Sequence, residues 1–145
     1  GDKKKSTEIV EYVRRHYPKL PIMARAYDRM HAYDLHHAGA NYVIREIVDS
    51  AMRGGRIALE KMGLSPEQAR ELSKFYAARD RYLSDRVADV YDPNIPLFAN
   101  EKMIEVVKET DTETKNMLQA LLRGEKVEWE EEHENELTRM KQGIS

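Results

Sequence analysis

Apolar residues near the start of the chain repeat with helical spacing. Ile9, Val10 and Val13 fall on one side of a helix, an arrangement typical of a helix that packs against a core. Ser6 is of a residue type that caps helix N-termini, whereas Pro18 cannot continue a helix. The pattern therefore predicts a helix that begins after Ser6 and ends before Pro18.

The next segment alternates between strand and helix signals. Residues 20–26 are a short apolar run with Pro21 at its entrance, which predicts a buried strand. Residues 28–39 predict a helix closed by Gly39, and residues 41–46, "NYVIRE", are rich in residues that favour β-structure. Strand, helix and strand with short joints form a βαβ unit, whose strands run parallel.

The remainder of the chain has helical periodicity. Ser65, Pro66 and Gln68 have the order of a capping box with proline at the first helical position. The last segment is strongly acidic and contains Trp129, the only tryptophan. Four helices are predicted, at residues 46–62, 65–91, about 100–122 and 125–141.

This arrangement predicts an α/β fold followed by long helices, with an incomplete sheet. Two strands leave a sheet edge unpaired, and exposed edges of this kind are normally covered. We therefore expect another segment or another chain to cover the edge, and a homo-oligomer is the expected solution.

Composition excludes several classes of function. The 145 residues are 34% charged with a net charge of −2, so no basic excess favours nucleic acid as a partner. The chain has no cysteine, which excludes disulfides, thiolate nucleophiles and cysteine metal sites. No apolar run approaches the roughly 20 residues of a membrane span, and the charged N-terminus does not resemble a signal peptide.

An ordered set of motifs resembles a known regulatory domain. The segments are "ARAYDRMHA" after the first strand, "AGA" before the second, the pair Arg45–Glu46, "SA" at 50–51, and "MGLSPEQA" at 62–69. Together they resemble the second half of the KTN or RCK domain of Kef-type glutathione-regulated potassium efflux antiporters, over residues 6 to about 90. The resemblance implies a partial Rossmann-type domain at 1–64 and a helical extension at 65–145.

The resemblance also implies a ligand site. Arg45 ends a buried strand, where ligand-binding residues of open α/β sheets lie, and it matches an arginine that holds glutathione in the family. Arginine suits this anion because it grips a carboxylate with two parallel hydrogen bonds. Asp80 matches a family asparagine. Because a carboxylate only accepts hydrogen bonds and repels anions, this departure weakens the glutathione assignment. The alternative for Arg45 is a salt bridge with Glu46 or Asp49.

Four further residues are expected to support the site or an interface: Arg25, Asp28, Glu46 and Arg79. A packing or interface role is favoured for Arg25 and Asp28 over chemistry. Arg79 and Arg81 flank Asp80 and are expected to offset its charge. For residues 79–86, "RDRYLSDR", the favoured interpretation is a solvated helix face with local ion pairs.

No metal site or catalytic group is predicted. His36 and His37 are adjacent and diverge on a helix, and His31 lies five or six residues before them, off the spacing of helical zinc ligands. The histidines are therefore expected at the surface or in an interface. The sequence has no phosphate loop, nucleophile elbow or GxGxxG, and its adjacent glycines Gly54 and Gly55 fall in a predicted helix.

We therefore expect a non-enzymatic domain that senses a ligand and gates a potassium/proton efflux antiporter. The resemblance implies a membrane antiporter domain as partner, an ancillary flavin oxidoreductase, glutathione or a related anion, and a place on the cytoplasmic side of the bacterial inner membrane. No cofactor is expected within this chain, because NAD(H) or AMP would bind mainly to the missing first half. The alternatives are a fragment of an NAD-dependent Rossmann enzyme and a stand-alone helical dimerisation module.

Overall fold

A computed structural model describes residues 2–129. In chain order the elements are α1 (Lys3–His16), β1 (Met23–Ala26), α2 (Arg29–His37), β2 (Tyr42–Arg45), α3 (Val48–Lys61), α4 (Pro66–Val90), a 3₁₀ turn (Leu97–Ala99) and α5 (Glu101–Leu122). The described residues form two compact units that divide between Gly54 and Gly55, inside α3. The predicted domain boundary after residue 64 stays a prediction. No helix within residues 2–129 is both long and apolar enough to cross a bilayer.

The first unit contains the predicted βαβ arrangement. β1 and β2 pair in parallel, with Met23 opposite Tyr42 and Ala26 opposite Arg45. Helix α2 connects the two strands, and the chain leaves it through Gly39 with a φ of 107°, a conformation that glycine adopts at little steric cost. These features confirm an α/β fold with a partial Rossmann-like sheet followed by helices.

One face of the sheet is covered by helices. Ala26 and Leu35 are fully buried and link β1 to α2, and Val10 adds the inner side of α1. The complete cluster of buried apolar residues is Val10, Ala26, Ala32, Leu35, Ala38 and Ala40. The opposite face carries Met23, which is 51% exposed, and Ile44, which is 40% exposed, so the described residues cover the sheet on one side.

Helix α1 begins earlier than the sequence pattern predicts. Asp2 is the N-cap, and its side chain accepts a hydrogen bond from the Lys5 backbone N–H. The predicted cap Ser6 is wrong, because Ser6 lies inside the helix and donates to the carbonyl oxygen of Lys3 at 2.9 Å. Three lysines in the first turn of α1 obscured its true start.

Arg14 ties α1 to the loop that follows α2. Its Nε and Nη2 donate to the carbonyl oxygen of Gly39 at 3.0 and 2.8 Å. Nη2 also donates to Oδ1 of Asn41 at 2.6 Å, and that oxygen accepts a second bond from the Ile22 backbone N–H. This network fixes the entrance of both strands.

The second unit is built on α4 and α5. The predicted capping box of α4 is confirmed, since Ser65 and Gln68 exchange side-chain and backbone hydrogen bonds. Phe75 and Val87 are buried on α4. Asn100 accepts from the Met103 backbone N–H as the cap of α5 and donates to the carbonyl oxygen of Val90, which joins the end of α4 to the start of α5.

The predicted acidic helix at residues 125–141 is wrong in the part that the structure describes. Residues 125–129 have no helical structure, because α5 ends and Gly124 adopts a φ of 79°. Trp129 packs edge-on against Phe75, with ring centroids 5.4 Å apart. Residues 130–141 lie outside the described residues.

Candidate ligand-sensing site

The carboxyl ends of the two strands meet at one edge of the sheet. Arg45 is the last residue of β2 and is half-buried. It lies opposite Ala26 in the register, and register partners in a parallel pair project from the same face. Because Ala26 is fully buried beneath the helices, Arg45 projects on the helix-covered side of the sheet.

Arg25 and Glu46 lie on the opposite side of the same edge. Arg25 is opposite Ile44 in the register, and alternation along the strand directs it away from the Ala26 face. Its Nε is 3.8 Å from Oε2 of Glu46, and the Arg25 side chain is 67% exposed. The structure therefore pairs these two predicted supporting residues with each other, in a solvated ion pair.

Asp28 is committed to local structure. Its side chain caps α2 by accepting a hydrogen bond from the His31 backbone N–H at 2.9 Å, and it forms an ion pair with Lys3 of α1. The hydrogen bond from His31, followed by the bond from Lys3, holds the pKa of Asp28 below its ordinary value. Asp28 thus fastens α1 to the start of α2.

His31 is the clearest error among the predicted residues. We expected it at the surface or in an interface, but it is 1% exposed. Its Nδ1 accepts from the Tyr27 backbone N–H at 3.2 Å, so the proton of the neutral ring lies on Nε2. Nε2–H then donates to Oγ of Ser6 at 2.9 Å. His31 can be buried because both of its ring nitrogens have hydrogen-bond partners.

A shallow depression of about 250 Å³ lies beside this network. Arg45 does not line it. The lining residues are Asp2, Lys5, Ser6, Ile9, Arg25 and Tyr27. The depression therefore follows the free side of β1 and the first turns of α1, away from the predicted ligand residue.

Asp80 and Arg79 lie in the second unit, on α4. Asp80 is half-buried, and its carbonyl oxygen accepts a hydrogen bond from Ser84. The Arg79 side chain is only 11% exposed, and it donates to Oγ1 of Thr114 at 2.9 Å and to Oε2 of Glu113 at 3.0 Å. Arg79 is thus engaged with α5, and its charge is matched there rather than reserved for Asp80.

The interpretation of residues 79–86 as a solvated helix face with local ion pairs is wrong for Arg79 and Arg86, because both pair with glutamates of α5. Seven residues after Arg79, Arg86 donates to Oγ1 of Thr110 at 3.0 Å and to Oε2 of Glu109 at 2.8 Å. The bond to Glu109 raises the pKa of Arg86. These bonds cross between antiparallel helices, whereas the local charge pattern indicates only partners on α4 itself.

Tyr82 lies between Arg79 and Arg86, and these three side chains of α4 form what we call the arginine ladder. The ring centre of Tyr82 lies 4.4 Å from Cζ of Arg79 and 5.6 Å from Cζ of Arg86, within the range of cation–π attraction. The spacing of three and four residues between these side chains places them on one helix face. That spacing is a sequence signal for an interhelical contact, although the contact was not among those that we predicted.

Within residues 2–129, no three histidine, aspartate or glutamate side chains lie close enough together to hold a metal ion. Of the predicted site residues, four lie near one edge of the sheet: Arg25, Asp28, Arg45 and Glu46. The other two, Arg79 and Asp80, lie on α4 in the second unit. At the sheet edge, structural partners account for the positions of Arg25, Asp28 and Glu46.

Comparison with known proteins identifies the family. The family of potassium efflux system KefB C-terminal domains matches residues 50–140, which is more than half of the chain. The chain belongs to this family. The match covers α4 and α5 together with most of α3, so it lies in the helical part of the chain.

Curated relatives agree with this assignment. The glutathione-regulated potassium-efflux system protein KefC of Escherichia coli O139:H28 and that of Shigella boydii serotype 18 are each 41% identical over 70 residues. These matches cover 48% of this chain and 11% of each relative. The chain therefore matches about a tenth of the length of these curated relatives.

A solved structure supports the same fold. The Shewanella denitrificans Kef C-terminal domain in its AMP-bound form matches with a TM-score of 0.58 and 35% sequence identity. The match covers 63% of this chain and 58% of that chain. These findings confirm the predicted kinship with Kef-type C-terminal domains and do not favour the two alternative functions.

Proposed function

We propose that this chain is a ligand-sensing regulatory domain that gates a potassium/proton efflux antiporter. The observation that carries the proposal is the family match across α3 to α5, joined to a parallel strand pair that ends in Arg45. The domain itself breaks no bond. Its role is to shift a conformational equilibrium, and a ligand can do so only by as much as its affinity differs between the two states.

The proposed ligand is glutathione or a related anion. The relatives are named as glutathione-regulated, and glutathione carries two carboxylates that suit a guanidinium. Arg45 is half-buried at the strand end, where a charged hydrogen bond is less screened by solvent than at an exposed site. We therefore assign the primary anion contact to Arg45.

Asp80 modulates this proposed response. A carboxylate at this position repels an anionic ligand and cannot donate a hydrogen bond, whereas an amide can. The neighbouring guanidinium of Arg79 is engaged by Glu113, so it offsets this repulsion only in part. Asp80→Asn should therefore tighten glutathione binding in the full-length protein, measured by titration calorimetry. An unchanged affinity would remove Asp80 from the site.

Nucleotide binding is proposed to lie mainly outside this sequence. The solved relative binds AMP, and Rossmann-type domains hold nucleotides through a glycine-rich turn after the first strand. This sequence has no GxGxxG, and its paired glycines lie in α3 with no phosphate-binding turn. The residues present therefore do not fit an AMP or NAD(H) pocket.

The proposed setting is the cytoplasmic side of a bacterial inner membrane. There the domain would couple to a membrane antiporter domain, form a homo-oligomer, and accept an ancillary flavin oxidoreductase as partner. The sheet supports the homo-oligomer, since β1 and β2 each have only one neighbouring strand within residues 2–129 and open edges favour further pairing.

The test is potassium efflux from cells that express the full-length parent protein. Arg45→Ala should abolish or reverse the ligand-triggered efflux while leaving the fold intact. The matched control is Arg15→Ala, which removes an exposed arginine of α1 and should leave gating unchanged. Equal gating by the wild type and Arg45→Ala, with both proteins folded by circular dichroism, would contradict the proposal.

A further inference from the structure

The loop between α4 and α5 presents large apolar side chains to solvent. Phe98 is 85% exposed, more than any other large apolar residue in the described part of the chain. Leu97 and Ile95 are 45% and 40% exposed. Single exposed apolar residues are common on protein surfaces, whereas a group of them marks a contact surface. The second unit therefore carries an apolar tip, which we define as Ile95, Leu97 and Phe98.

The loop holds this tip in a fixed conformation. Pro93 and Pro96 restrict the backbone on either side of Ile95. The Ile95 backbone N–H donates to the carbonyl oxygen of Asp92 at 3.1 Å, and the Ala99 N–H donates to that of Pro96 at 2.9 Å. A loop fixed in this way loses less conformational entropy when it binds a partner, so the tip is pre-organised for a contact.

Acidic residues flank the tip along the chain. Residues 85–105 contain five acids and two bases, and one of the bases, Arg86, pairs with Glu109 on α5. The end of α4 and the start of α5 are therefore negatively charged on both sides of the tip. The five acids are Asp85, Asp89, Asp92, Glu101 and Glu105.

Helix stability does not explain the acids at the end of α4. Glu101 lies in the first turn of α5, where a negative charge interacts favourably with the helix dipole. Asp89 lies in the last turn of α4, which has no basic residue, and a negative charge is unfavourable there. Asp85 and Asp89 are exposed and form no ion pair within residues 2–129, where their neighbour Arg86 is engaged by α5. These two charges are therefore open to a partner.

We propose that the tip binds a basic amphipathic helix of a protein partner, in which lysine or arginine side chains flank an apolar stripe. A helix surface has holes between the side chains of successive turns, and each hole receives one large side chain. Phe98 fills one such hole. The bases beside the stripe then lie against the acids on both sides of the tip, which makes the two surfaces complementary in charge.

Charge favours this partner over two alternatives. An exposed phenylalanine also suits a lipid surface, but anionic lipids repel the acids that flank the tip. A second copy of the tip carries the same negative charge, so two tips repel each other. The contact uses neither Arg45 nor the proposed anion, and it can be tested independently of the proposed gating ligand.

The probe is a fluorescent peptide of about 18 residues, long enough to form a helix. It has leucine and alanine in its stripe and lysine on both flanks. Fluorescence anisotropy should show saturable binding to the 145-residue chain, and the affinity should fall as salt is added because salt screens the charges. The matched peptide has glutamate in place of each lysine and should not bind. Binding of both peptides, or of neither, would overturn the proposal.

The role of Phe98 is tested with two serine variants. Phe98→Ser should weaken binding of the lysine peptide about tenfold or more, because an aromatic anchor carries much of the binding energy of a small contact. Met62→Ser is the matched control, since Met62 is 79% exposed in the turn between α3 and α4. It should bind within about twofold of the wild type. Equal binding by the two variants would overturn the assignment of the tip.

The role of the acids is tested at constant net charge. Asp85→Asn combined with Asp89→Asn should weaken binding and reduce its dependence on salt. Glu8→Gln combined with Glu11→Gln removes two exposed acids of α1 and should leave both properties unchanged. Equal effects of the two double variants would show non-specific attraction between charges and contradict the proposed contact.

Two further measurements identify a different occupant. Flotation with vesicles of phosphatidylcholine and phosphatidylserine should recover no chain, and recovery that Phe98→Ser abolishes would make the tip a membrane anchor. Sedimentation velocity should give the same oligomeric state for the wild type and Phe98→Ser, and a change would assign the tip to a contact between copies. Either of these contrary results would overturn the proposal. Circular dichroism checks that each variant is folded.

Discussion

Arg79 allows a quantitative test of the arginine ladder between α4 and α5. Replacing it with alanine removes a bond to Thr114 and an ion pair with Glu113. Each charged hydrogen bond at a partly buried site contributes about 1 kcal/mol. The contact of Arg79 with the Tyr82 ring adds about 0.5 kcal/mol. Alanine's higher helix propensity returns about 0.2 kcal/mol, so the free energy of unfolding should fall by about 2 kcal/mol.

The assay is urea unfolding followed by circular dichroism. Arg70→Ala removes an exposed arginine from the same helix and serves as the control, with an expected change within about 0.5 kcal/mol. The coupling between Arg79 and Glu113 is isolated by a double-mutant cycle that uses Arg79→Ala and Glu113→Gln, and about 1 kcal/mol is expected. If Arg79→Ala matches Arg70→Ala, or the cycle gives no coupling, the interhelical role assigned to Arg79 is wrong.

Three further predictions concern the first unit. The lowered pKa of Asp28 means that its stabilisation is present above about pH 3.8, the ordinary aspartate value, and is lost as the pH falls through the lower folded value. The difference in stability between wild type and Asp28→Asn should therefore shrink as the pH falls below about 3.8, and a difference independent of pH would contradict this. His31→Leu leaves the Tyr27 backbone N–H without its acceptor and should cost about 2 kcal/mol in chemical denaturation; a neutral effect would mean that the buried network does not contribute. Gly39→Ala places a Cβ 2.7 Å from Cγ of Arg14 at a φ of 107°, and thermal unfolding should show a loss of roughly 1–3 kcal/mol, whereas an unchanged midpoint would show that the turn relaxes freely.

Local signals in the sequence predicted most of the elements. Ser65 and Gln68 specify the start of α4 because the capping box is formed by residues three apart, with no help from the rest of the fold. The two short strands were predictable from β-favouring residues and from Pro21 and Gly39, which bracket the strand–helix segment. The helix predicted between the two strands then specified their parallel pairing, because a βαβ unit joins parallel strands.

The errors at His31 and at residues 79–86 share one physical cause, which is contact between residues distant in sequence. His31 is buried because Ser6 and the Tyr27 backbone satisfy its ring, and Ser6 lies 25 residues away. Arg79 pairs with Glu113 across 34 residues. Such partners cannot be read from a local pattern, since a charged or polar residue on a helix is usually solvated unless a second element supplies its partner.

The predicted site illustrates the same limit. Arg25 and Glu46 are 21 residues apart, and only the register of β1 and β2 brings them together in an ion pair. The sequence placed Arg45 at a strand end but could not indicate which face it occupies. Its register partner Ala26 supplies that information, and places Arg45 on the side covered by helices.

The assignment of Arg45 as the anion contact is most directly tested by Arg45→Lys in the full-length parent protein. Lysine keeps the positive charge but cannot form the two parallel hydrogen bonds of a guanidinium with a carboxylate. Potassium efflux should be recorded as the glutathione concentration is varied, beside the wild type and the surface control Arg15→Ala. We predict a strong loss of the ligand response in Arg45→Lys alone, at equal expression. A wild-type response in that variant would contradict the role of Arg45 in a gating domain.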